Sequence, residues 1–140
     1  MANLDALART ALAAFRDGLE AELTGPGPLP RPLETHVVGY KPSRYPPFGS
    51  RLIVGPSVTG KFTTTDFVWS GRARFWISVG LNAEGVPVLS ASLTGFGTSE
   101  GMWPEQVAAG GNVAAVGAGL GRAVARHILS EHYGDRFGWA

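Results

Sequence analysis

A chain of 140 residues with 44% apolar and 16% charged residues is long and apolar enough to fold around one core, which excludes a disordered chain. It has no cysteine, which excludes disulfides and thiolate metal sites. Its net charge of +1 says little about partners until the distribution of that charge is read. No apolar run reaches the ~20 residues of a membrane span. The first 23 residues are interrupted by Asp5, Arg9, Arg16 and Asp17, unlike a signal peptide. The expectation is a single domain over residues 1–140, without a membrane partner, in the cytoplasm.

Leu4, Ala8, Ala11, Leu12, Phe15, Leu19 and Leu23 recur at helical spacing, and Asn3 stands where it can cap the start. This predicts a helix over 1–24, stopped by Thr24-Gly25-Pro26-Gly27-Pro28 and followed by a linker stiffened by Pro30 and Pro32. A strand-rich block follows over 34–95. Strands are predicted at 35–41, 51–54, 63–69 and 72–81, with a Pro-rich loop at 42–49. In the last strand Ala73, Phe75, Ile77, Val79 and Leu81 alternate with Arg72, Arg74, Trp76 and Ser78, so the two sets face opposite sides. Asn82-Ala83-Glu84-Gly85 reads as a hairpin turn in which Gly85 supplies the positive φ. The return strand, 86–94, buries Leu89, Ala91 and Leu93.

After a loop at 95–101, Pro104 and Glu105 suit a helix start, and the helix is expected over 104–132. Its buried stripe would be Val113, Val116, Leu120, Val124 and Ile128. Gly110 and Gly111 are placed to break it near its start, in which case Asn112 caps a second segment. The whole reads as α+β: an N-terminal helix, a four- to five-stranded antiparallel sheet, and a long C-terminal helix on one sheet face.

Charge is concentrated in the middle. Between His36 and Ala83 stand Lys41, Arg44, Arg51, Lys61, Arg72 and Arg74 against one acid, Asp66, a surplus of five in a chain of net +1. The same stretch holds Tyr40, Tyr45, Phe48, Phe62, Phe67, Trp69, Phe75 and Trp76. Cations for phosphates and rings for bases are what a single-stranded nucleic acid requires. The candidate contacts are Arg72, Arg74 and Trp76 on one strand, extended by Arg51, Lys61, Lys41 and Arg44. The same pattern also suits a solvated strand face whose cations discourage edge aggregation.

Two nucleotide motifs fail on inspection. Gly55-Pro56-Ser57-Val58-Thr59-Gly60-Lys61 has P-loop spacing, but Phe62 stands where a hydroxyl must ligate magnesium, and a strand pattern follows instead of a helix. A β-turn with an exposed lysine is the plainer reading. Gly117-Ala118-Gly119-Leu120-Gly121 resembles a dinucleotide fingerprint, but its third glycine comes one position early and no second strand follows. Small residues that let a helix approach its neighbour, whether sheet or second subunit, explain it better. His127 and Glu131 lie four apart on one helix face without an evident third ligand. No serine sits in a nucleophile elbow; Glu100 and Glu105 are near one another in sequence, but the opposed geometry of a catalytic pair is not a sequence feature, and Glu105 is explained as a helix-start acid. The expectation is a protein without catalytic residues, metal or cofactor.

Gly95-Phe96-Gly97-Thr98-Ser99-Glu100-Gly101 joins a strand to a predicted helix, and Gly119-Leu120-Gly121-Arg122-Ala123-Val124 follows about one helix length later. Over 93–125 the chain thereby resembles the single-strand DNA annealing proteins of recombinational repair, the Rad-fifty-two superfamily, which takes in phage annealing proteins. Gly121 replaces the lysine of the family stretch, and Gly110, Gly111 and Gly117 are additional. The resemblance implies a curved antiparallel sheet on a long helix and assembly into a homo-oligomeric ring or filament. It also implies single-stranded DNA held in a basic groove without nucleotide hydrolysis, RNA being the alternative strand. A second functional class stays open: a phage-encoded or accessory module that docks a larger protein through Tyr45, Pro46, Pro47 and Phe48, Trp103, or the Phe137-Gly138-Trp139 tail.

Overall fold

The computed structural model describes residues 3–23, 35–45, 51–66, 71–94, 105–109 and 111–128. The elements run α1 (Leu4–Leu23), β1 (Thr35–Ser43), β2 (Ser57–Asp66), β3 (Gly71–Leu81), β4 (Pro87–Thr94), β5 (Glu105–Ala108) and α2 (Val113–Ile128). The strands form one antiparallel meander in the order β1-β2-β3-β4-β5. Both helices lie on the same face of it, α1 over β1, β2 and β3, and α2 over β4 and β5. The expected α+β architecture is therefore present, with five strands.

Register explains how the two sheet faces differ. Phe62 pairs with Phe75, Gly60 with Ile77 and Val58 with Val79, and β4 adds Ala91 and Leu89 opposite Ile77 and Val79. These side chains meet Ala8, Ala11, Leu12, Phe15 and Leu19 of α1, all fully buried. At the centre the Phe62 and Phe75 rings stack at 4.9 Å, and Phe15 lies 6.0 Å from each. Such aromatic contacts add about 0.5–1.5 kcal/mol beyond area burial.

Local signals hold the ends. The Asn3 side-chain oxygen accepts from Ala6 N at 3.1 Å, capping α1. At the β3–β4 turn, Asn82 Oδ1 accepts from the backbone of Glu84 and Val86, and Gly85 has φ +77°. Arg9 receives support from Asp5 at 2.9 Å, one helical turn earlier, and lies over the Tyr40 ring at 4.1 Å. Burial pushes the Tyr40 phenol up from its usual range against the pull of Arg9, and the ring packs over Gly60.

Three boundaries differ from expectation. Residues 105–108 form β5 where a helix start was expected, because their backbone pairs with Val88–Ala91 of β4. Helix α2 starts at Val113, the second segment expected if the helix broke before Asn112. Asn112 caps it, its Oδ1 accepting from Ala115 N at 3.0 Å and its carbonyl from Val116 N at 3.1 Å. Replacing Asn112 by Ala is expected to lower stability by about 1 kcal/mol, measured as a shift in the urea midpoint with unchanged slope. Residues 51–56 are a connection, not a strand, and β2 runs unbroken through Gly60 and Lys61, where a turn was expected.

Gly117 and Gly121 of α2 turn toward α1, whereas Gly119 is exposed. A Cβ on Gly117 would stand 3.0 Å from the Ala11 carbonyl oxygen, and one on Gly121 would overlap the Phe15 carbonyl. Gly18 of α1 approaches Ala118 in the same way. The helices therefore pack backbone to backbone, closer than ordinary side chains allow. Among the described residues no helix is long and apolar enough to cross a membrane.

Candidate functional site

The sheet face opposite the helices carries the charge. Successive rungs of the ladder place Lys41, Thr59, Ser78 and Ser90 side by side, then Gly39, Lys61, Trp76 and Ser92, then Thr63 and Arg74. Lys61 stands directly across from Trp76, at about 5 Å between Cβ atoms, and Lys41 lies on its diagonal at about 7 Å. Lys41, Lys61 and Arg74 are exposed and Trp76 is half-buried. None of the three cations pairs with an acid among the described residues.

A groove of about 430 Å³ opens between β1 and β3, lined by Lys41, Thr59, Lys61 and Trp76, with Tyr40, Pro42 and Ser43 along β1. Two local features make room for it. The pairing shifts between Val37 and Gly39, a β-bulge that leaves Gly39 at φ +143° opposite Lys61. A non-glycine residue would be strained there, and a Cβ would project into open space, so this position is a notch beside the lysine. On the floor, the Thr59 and Ser78 hydroxyls bond each other at 2.6 Å.

The other end of this face is closed, which the sequence did not reveal. Ile53, 3% exposed, lies against Gly80, and Val54 N donates to the Leu81 carbonyl at 2.8 Å. Val88, fully buried, lies on that end of the face as well. The available signal was the apolar run Leu52-Ile53-Val54, which reads as a strand of its own.

The seven expected contacts separate accordingly. Lys41, Lys61, Arg74 and Trp76 share the helix-free face. Arg72 pairs through its backbone with Thr65, and its side chain lies outside the described residues. Arg44 follows the end of β1, and Arg51 begins the connection that carries Ile53; both are exposed and neither lines the groove. The aromatic interleaving is reduced by folding. Phe62 and Phe75 are core, Tyr40 packs on the helix side under Arg9, and Tyr45 is exposed beyond β1. Phe48, Phe67 and Trp69 lie outside the described residues, as do residues 95–101 of the turn motif and the side chains of His36, His127 and His132. In the Gly119–Val124 stretch, Leu120, Gly121 and Val124 are buried.

Comparison of the chain with protein-family models, with curated proteins and with solved structures gives no match.

Proposed function

We propose that this chain is a non-enzymatic single-stranded nucleic-acid binding protein whose contact surface is the helix-free face of its sheet. Strand annealing in recombination or repair is the role that the family resemblance implies, with homo-oligomeric assembly. The observation that carries the reading is the convergence of Lys41, Lys61 and Arg74 beside the Trp76 indole, on the face away from α1 and α2. Cations attract the phosphates, and the ring offers a base a stacking surface worth about 1–3 kcal/mol. Binding is assigned to the sheet and not to α2, whose Gly121 and Val124 are buried.

Labelled oligo-dT titrated at low salt should show a saturable rise in fluorescence anisotropy that falls as salt is added. Lys61→Glu and Arg74→Glu, both at exposed positions, should each weaken binding about tenfold without a change in melting temperature. Flat anisotropy at low salt would overturn the proposal. A second reading has its own observation: Tyr45, Leu52 and Val54 expose 72%, 44% and 60% of their surface around the β1–β2 connection. A protein-docking module would give flat anisotropy together with one stoichiometric protein partner, lost on Val54→Asp.

A further inference from the structure

The described part of this face holds one ring. Among the described residues Trp76 is the one aromatic side chain on the helix-free face away from the Ile53 plug. Two ammonium groups, Lys41 and Lys61, flank the same groove, and the Gly39 notch adjoins Lys61. The groove volume of about 430 Å³ lies in the range of small-molecule sites, well short of an extended channel. Arg44 and Arg51, which a continuous track would need, do not line it.

From this we infer that each protomer seats a single nucleotide: one base against Trp76 and its phosphate between Lys61 and Lys41. The minimal ligand is a nucleoside monophosphate. The inference rests on the strand-binding reading and narrows it. A base lying on the indole directs its sugar toward β1, where Gly39 has no side chain to oppose it. Two lysines about 7 Å apart on a diagonal suit one phosphate group bridged from both sides. The Thr59 hydroxyl on the floor is placed to bond the sugar or base edge. A long strand then gains affinity from several protomers acting together, not from a longer path on one of them.

The test uses thymidine monophosphate as probe, read by tryptophan emission of the whole chain. Saturable quenching at one equivalent per protomer is expected. Trp76→Phe should abolish the quenching signal while the probe still displaces labelled oligo-dT, because phenylalanine also stacks. Lys61→Gln should weaken the monophosphate about tenfold and leave thymidine, which has no phosphate, unaffected. If oligo-dT binds but the monophosphate neither quenches nor competes, the single seat is wrong and a multi-phosphate track stands in its place. If neither binds, the strand-binding reading falls with it. If the monophosphate binds and oligo-dT does not, the strand-binding reading falls, and with it the inference that the seat serves a strand.

Discussion

Gly121→Ala should destabilise this protein by about 2 kcal/mol, although alanine is the better helix former by about 1 kcal/mol. The added methyl would overlap the Phe15 carbonyl and stand 2.8 Å from the Leu19 amide nitrogen. Both are backbone atoms of α1, so neither can rotate aside. Either the helices separate, loosening the packing of Phe15, Leu19 and Val124, or the methyl is accommodated by distortion. Overpacking of this kind costs about 1–3 kcal/mol, more when the obstacle is rigid. Gly119→Ala supplies the internal control. Its Cβ would meet nothing within 4 Å on an exposed face of the same helix, so it should stabilise by about 1 kcal/mol. Thermal unfolding would separate the pair, with Gly121→Ala melting about 7 °C lower than wild type and Gly119→Ala higher. Two glycines at spacing i, i+2 in one helix thus respond with opposite sign. If Gly121→Ala also raised the melting temperature, the close α1–α2 approach would be wrong.

Where the sequence was readable, one local pattern sufficed. Helix α1 shows its stripe directly, and Ala8, Ala11, Leu12, Phe15 and Leu19 are all buried. The β3–β4 hairpin is equally plain, since alternation separates Phe75 and Ile77 from Arg74 and Trp76 and the turn carries its own asparagine and glycine. The unreadable parts depend on partners distant in sequence. Residues 105–108 follow Pro104 and open on an acid, Glu105, as at a helix start, and only hydrogen bonding to β4 makes them a strand. Gly60-Lys61 looks like a turn, yet Gly60 lies mid-strand, paired with Tyr40 and Ile77, and a side chain there would meet Tyr40 and Leu12. The candidate site was half legible for the same reason. Alternation placed Arg74 and Trp76 together within β3. That Lys61 and Lys41 join them, while Phe62 and Tyr40 turn inward, follows from the registers of β2 and β1, which no local pattern encodes.

Trp76→Ala combined with Lys61→Glu should lower affinity for oligo-dT by about 100-fold or more, the largest loss expected from any pair on this face. The indole contributes stacking, about 1–3 kcal/mol, and the ammonium a charge-assisted bond of about 1.5–3 kcal/mol. The informative quantity is their coupling. The two side chains are cross-strand neighbours on one rung. If both hold the same nucleotide, losing either one frees that nucleotide to shift, and the second loss costs less than it does alone. The double-mutant cycle should therefore show a coupling of about 0.5–3 kcal/mol, with the double variant binding better than the two single losses predict. Arg74→Glu with Lys41→Glu, two rungs and two strands apart, should come closer to additivity. Trp76 is half-buried, so its removal also costs stability. Melting curves of each variant separate that cost from the binding loss, and Trp76→Phe should retain most of the affinity. A result in which Trp76→Ala binds like wild type while every charge reversal weakens binding would mean a plain cationic patch. Polyphosphate would then displace the strand as readily as nucleic acid, and base stacking would have no part in recognition.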